Sequence, residues 1–184
     1  MKMKLVMISA AVTTALMASS AIAADGTIYF EGALAANTCD ITVDGKNTPA
    51  TVTLPTVTAS KLLGIGATTG DTLFKIVLTN CTGVSETSTA AAFFENGSTV
   101  DYDTFNLINT ADSGDEAKNV QLQLLDAVNQ SPINIGFSNQ QANSTRHDIS
   151  SAGAELPYTV RYFSLGSAAP GIVQSQVNFS IDYE

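Results

Sequence analysis

"QVNFSIDYE", residues 176–184, closes the chain and sets its architecture. Val177, Phe179, Ile181 and Tyr183 alternate with Asn178, Ser180 and Asp182, the period-two pattern of a strand with one buried and one polar face. The strand runs to the last residues and leaves no sequence after it to form another neighbour. The opening apolar segment, residues 26–34, lies only a few residues before Cys39, and because an unpaired apolar strand is an aggregation hazard that native proteins avoid, something is expected to pair with it.

The same alternation recurs upstream in short runs separated by turn residues. "TCDITV" (38–43) puts Cys39, Ile41 and Val43 on one face and ends at the turn Asp44-Gly45. "ATVTL" (50–54), stopped by Pro55, is expected to continue that edge. "TLFKIVLTNC" (72–81) carries Phe74, Ile76 and Leu78 on one face and Lys75 on the other. Cys81 falls three residues after Leu78, out of register with that face, so the strand must twist or bulge before it. "TAAAFFENG" (89–97) ends in an Asn96-Gly97 turn. "NVQLQLLD" (119–126) alternates Val120, Leu122 and Leu124 with Gln121 and Gln123, and "LPYTVRYF" (156–163) alternates Tyr158, Val160 and Tyr162 with Thr159 and Arg161. The polar residues 109–118 read as a surface loop, and "TASKLLGIG" (58–66) as room for a short helical turn. Strands this short and this regularly spaced define an all-β chain, a β-sandwich.

The chain opens with Lys2 and Lys4, an apolar run over residues 5–17, and the small-residue pattern Ala21-Ile22-Ala23. This is a secretory signal peptide, 1–23, and not a membrane span, because the apolar run is too short and no stop-transfer pattern follows. Cleavage is expected after Ala23, with Ala24 as the alternative. Losing Lys2 and Lys4 takes the formal charge from −9 to −11, since six basic residues then face seventeen acids. That balance gives no footprint for nucleic acid and none for insertion at an anionic membrane. In an exported chain the two cysteines, Cys39 and Cys81, default to a structural disulfide. They lack the close C-x-x-C spacing of a redox pair.

Ahead of Cys39 lies "GTIYFEGAL", residues 26–34. Ile28, Phe30 and Leu34 share one face, but Gly32 occupies the same buried register, where glycine weakens a strand. From the pattern alone two readings stand. The segment is either an ordinary first strand folding back on its own domain, with Gly32 a bulge, or a strand meant for another chain.

These residues resemble a chaperone–usher pilin, close to the major subunit of type 1 fimbriae. The likeness runs through "GTIYFEGALAANTCDI", "FKIVLTNCTG", "NVQLQLLDAVN", "LPYTVRYFSLGSAAPG" and "VNFSIDYE". Tyr183 is penultimate, and Gly171 stands fourteenth from the C-terminus, both as in the family's C-terminal pattern. The resemblance implies an incomplete immunoglobulin-like sandwich lacking its last strand, spanning 37–184, preceded by a donor-strand extension at 24–36. Donor-strand complementation is a known instance of β-strand addition. On that reading Ile28, Phe30 and Leu34 enter the groove of a neighbouring copy, and Gly32 passes where the acceptor leaves no room for a Cβ. The acceptor edge and chaperone-binding residues are Gly171, Val177, Phe179, Ile181, Tyr183 and Glu184, with the terminal carboxylate of Glu184 held by basic chaperone residues. The implied partners are identical or related pilin subunits, a periplasmic chaperone and an outer-membrane usher. The implied route is through the periplasm to the cell surface. The function expected is a structural subunit of an adhesive fimbria, the alternative being a minor or tip-adaptor subunit that contributes to receptor adhesion.

Signals for chemistry are weak. His147 is the only histidine, no G-x-S-x-G stretch exists, and the expected place of His147 is the surface. Asp101 with Asp103, and Asp112 with Asp115 and Glu116, do not follow EF-hand spacing and read as solvated loop acids. The asparagine sequons at Asn80, Asn96, Asn143 and Asn178 carry no reading in a bacterial periplasmic protein. No enzyme activity, cofactor or metal is expected.

Overall fold

The computed structural model describes Tyr29, residues 37–112 and residues 114–184. The leader and the donor-strand residues Ile28, Phe30, Gly32 and Leu34 lie outside the described residues; Tyr29 is exposed. The strands are β1 (Thr38–Val43), β2 (Lys46–Asn47), β3 (Thr68–Thr82), β4 (Thr89–Phe94), β5 (Leu107–Ile108), β6 (Lys118–Asp126), β7 (His147–Asp148), β8 (Ala154–Ala169) and β9 (Phe179–Tyr183). One short helix, α1 (Asn139–Asn143), precedes β7, and a 3-10 turn occupies Ala59–Leu62 within the segment expected to hold a helical turn.

The strands form two antiparallel sheets. The larger has the order β2-β1-β3-β8-β6-β5 and the smaller β7-β4-β9. Alternation explains the core between them. Phe74, Ile76 and Leu78 of β3, Leu122 and Leu124 of β6, and Leu156, Tyr158 and Val160 of β8 meet Ala90, Ala92 and Phe94 of β4. The aromatic rings interlock, with Phe94 edge-on to Tyr158 at 5.0 Å between centroids, a favoured arrangement for the ring quadrupoles.

The bulge expected before Cys81 is present. Thr38 pairs with Thr82 but Asp40 with Thr79, so β3 carries one residue more than β1 across this step. Asn80 absorbs the extra residue with φ 51°, a left-handed conformation that asparagine tolerates better than most residues. The shift turns Cys81 inward, where it is buried and bonded to Cys39.

Two expectations are corrected. Residues 50–54 do not extend the β1 edge as a paired strand: residues 51–55 keep their alternating exposure, but among the described residues no strand ladder includes them. Proline at 55 and the turn at Ala59–Leu62 leave this stretch extended and unpaired. Residues 109–118 are not simply surface loop, because Ala111 and Ala117 are buried and the segment grips the C-terminal chain. On the other face of β6, Gln121 and Gln123 are buried as well. Gln123 Oε1 accepts two bonds from Arg161, at 3.0 and 2.7 Å. Gln121 bonds Thr104, Asn106 and Asp101, so loop residues cover the outer face of the sheet there.

Candidate functional site

The geometry of β9 follows from its register with β4. Ala90 lies opposite Tyr183, Ala92 opposite Ile181 and Phe94 opposite Phe179. Thr89 and Glu184 exchange both backbone bonds, at 2.8 and 2.9 Å, and Glu95 N–H donates to the Asn178 carbonyl at 2.8 Å. Hydrogen-bonded pairs alternate along an antiparallel ladder. Residues 178, 180, 182 and 184 therefore turn their backbone groups toward β4. Phe179, Ile181 and Tyr183 turn theirs to the opposite edge, which no strand among the described residues occupies. The same three residues send their side chains toward the core, where Val173 and Val177 join them, all half-buried. Outward backbone and inward apolar side chains thus coincide in the residues singled out by the terminal alternation.

The far edge of β4 is closed differently. Strand β7 pairs only with Thr89 and Ala90. Beyond it, Ala92 N–H donates to the Tyr158 hydroxyl at 2.9 Å. Phe94 N–H donates to Gln140 Oε1 at 2.8 Å, and Gln140 Nε2 donates back to the Phe94 carbonyl at 3.0 Å. A buried side-chain amide from α1 thus imitates the missing ladder. The edges of the larger sheet end in two-residue strands, β2 and β5, which blunt an edge against pairing. Alternation places Tyr158 in the core but assigns no role to Gln140. Nothing in the pattern of residues 138–144 marks a glutamine as an edge plug.

A second extended segment packs on the core that β9 covers. Residues 50–58 pack Ala50, Val52 and Leu54 against the same core as the terminal strand. At one end of β9 the Tyr183 phenol takes a hydrogen bond from the Cys39 backbone of β1. Burial nonetheless pushes this phenol up. At the other end a cavity of about 410 Å³ opens, lined by Val57, Leu62, Tyr162, Ile172 and Val173 among others. Gly171 stands beside it. A Cβ there would lie 2.3 Å from Ala117 N and 2.5 Å from the Asp115 carbonyl oxygen, so only glycine lets the two backbones cross. Ile172 N–H donates to Asp115 at 2.8 Å, and Ala117 N–H to Ile172 at 2.9 Å. Asn109 adds bonds from Nδ2 to Ile172 and to Oδ1 from Gln174 N–H, each 2.9 Å.

The remaining candidates have structural places. Glu184 is exposed, and its side chain pairs with Arg146 at 3.0 Å. His147 is half-buried, not a free surface residue. Burial holds its imidazole below the ordinary value against the opposing pull of Asp126. Asp101 is a turn organiser: Oδ1 accepts from Asp103 and Thr104 backbone N–H, which holds its carboxyl below the usual range. Glu116 pairs with Lys118.

Two antiparallel sheets, with no strand among the described residues on the outer edge of β9, form an immunoglobulin-like sandwich. Comparisons with known proteins agree. The profile of the type-1 fimbrial protein, A family matches residues 54–184. The F17 fimbrial protein of Escherichia coli is 38% identical over 175 residues, covering 94% of this chain and 95% of that protein. The major fimbrial subunit SMF-1 of Stenotrophomonas maltophilia is 42% identical over 167 residues, covering 89% and 95%. A subunit from the structure of a chaperone–usher pilus shares the fold, with a TM-score of 0.56 and 16% identity over 88% of this chain and 96% of that one. The chain belongs to the type-1 fimbrial protein A family, whose members are structural fimbrial subunits and not enzymes.

Proposed function

We propose that this chain is a polymerising shaft subunit of a fimbria, joined to its neighbours by donor-strand exchange. After loss of the leader, 1–23, the extension 24–36 of one copy adds as a strand to the outer edge of β9 in the 37–184 domain of the next. The observation that carries this reading is the coincidence at Phe179, Ile181 and Tyr183. Their backbone groups face an edge without a neighbour among the described residues, and their side chains help to line a groove that an apolar strand would cover. Ile28, Phe30 and Leu34 supply that apolar face. Burying three such side chains is worth on the order of 5–8 kcal/mol before ordering costs, and each ladder bond adds roughly 0.5–1.5 kcal/mol. Gly32 passes where a Cβ would crowd the acceptor.

Before assembly the same groove is covered by a periplasmic chaperone that engages Gly171, Val177, Phe179, Ile181, Tyr183 and the terminal carboxylate at Glu184. An outer-membrane usher then exchanges that cover for the next subunit's extension, and the fibre emerges at the cell surface. The test is assembly from the chaperone-held mature chain carrying Gly32→Leu. Chaperone complexes should form in normal yield while polymers are lost. Normal fibres from that variant, or a wild-type chain that stays a stable monomer without a chaperone, would overturn the reading.

A further inference from the structure

Asp182 of β9 and Glu184, the residue after the strand, are held from outside the groove by a single guanidinium. Arg146, just before β7, has a side chain only 19% exposed. Its Nη1 donates to Asp182 Oδ2 at 2.8 Å and its Nη2 to the Asp182 carbonyl at 3.1 Å. Nε donates to Thr89 Oγ1 at 3.0 Å and lies 3.0 Å from Glu184 Oε2. Gln141 of α1 adds a weaker bond to Asp182 Oδ2 at 3.3 Å. One planar fork therefore ties β9 to β4 at the end of the chain. Residues at a chain end fray unless tied down, and β9 has a ladder on one edge alone among the described residues.

We infer that Arg146 is a positioning residue that keeps the end of β9 in strand geometry while the groove lacks its donor strand. The inference rests on the donor-strand reading above. A β9 paired on both edges gains backbone bonds at Phe179, Ile181 and Tyr183 and no longer depends on the guanidinium. The need for Arg146 is then greatest in the unassembled subunit and least in the fibre. Lysine at this position keeps the charge but not the fork, which alone can serve Asp182, Glu184 and Thr89 together.

The experiment compares wild type, Arg146→Gln, Arg146→Lys and Asp182→Asn, with Arg161→Gln as a control on the other sheet. It measures the yield of chaperone-held subunit, amide exchange at Asp182 and Glu184 in that complex, and the melting of assembled fibres. For Arg146→Gln, loss of charge-assisted bonds predicts exchange about tenfold faster and complex yield several-fold lower. Arg146→Lys and Asp182→Asn should fall between it and wild type. Fibre melting should drop no further than in the Arg161→Gln control. Unchanged exchange and yield, or fibres destabilised as much as the complex, would overturn the inference. Failure of the donor-strand reading would show instead as normal polymerisation of the Gly32→Leu variant.

Discussion

The Tyr158 hydroxyl accepts a hydrogen bond from the Ala92 backbone N–H at 2.9 Å, so a residue of the larger sheet closes an edge of the smaller one. Phe94 packs edge-on against the same ring. The phenol does two things at once, filling the core and satisfying a buried backbone donor.

Tyr158→Phe should therefore cost about 1–3 kcal/mol, the penalty for a buried donor left without its partner. Burial pushes the Tyr158 phenol up to about 12 from an ordinary 10.0. Above pH 10 the unfolded chain loses this proton before the folded one, so stability falls as pH rises toward 12 and the contribution is lost above it. Denaturant titrations across that window should show a shallower alkaline decline for Tyr158→Phe than for wild type. Parallel declines would remove Tyr158 as the cause.

Acid should act through Asp126 and His147. Burial alone would push the Asp126 carboxyl up, but hydrogen bonds from Thr145, Val128 and Asn129 hold it below its ordinary 3.8, with Thr145 N–H at 2.5 Å. His147 is held below 6.5 by burial. As pH falls below 6.5 the unfolded chain binds the histidine proton first, so stability declines. A second decline follows as pH drops through the lowered Asp126 value, where the stability present above 3.8 is lost. His147→Gln should flatten the first decline and leave the second in the unfolding midpoints. Asp126→Asn should cost about 1–3 kcal/mol at neutral pH.

Gly171→Ala should be among the most damaging single changes in the chain. Its methyl would sit 2.3 Å from Ala117 N and 2.4 Å from the Glu116 carbonyl carbon, and backbone cannot yield as a flexible side chain can. Separating the crossing strands breaks the paired bonds between Ile172 and residues 115 and 117. The expected loss is about 2–3 kcal/mol or more. Faster amide exchange at Ile172 and Ala117 should accompany it, and a variant with wild-type exchange there would contradict the crossing argument.

Much of the fold is legible in the order of the residues. Alternation in residues 72–81, 119–126 and 156–163 locates β3, β6 and β8 and names most of their core residues, because burial of one face imposes period two. The mismatch between Leu78 and Cys81 announces the bulge. The apolar face of residues 177–183 is likewise written in the pattern. The 50–58 stretch misleads because alternation reports a buried face and says nothing of whether a neighbour's backbone is present.

By itself, then, the sequence determined which side chains go inward, that two cysteines are available to be joined, and that the chain is an all-β sandwich of pilin type. Only the tertiary structure decided which strand edges lack a neighbour among the described residues. Period two is blind to the direction of backbone hydrogen bonds, which depends on the register between β4 and β9. It is equally blind to distant plugs such as Gln140, to the guanidinium of Arg146, and to the loop at 109–117 that holds the C-terminal chain. Those contacts join residues far apart in sequence, and they exist only once packing has brought the two sheets together.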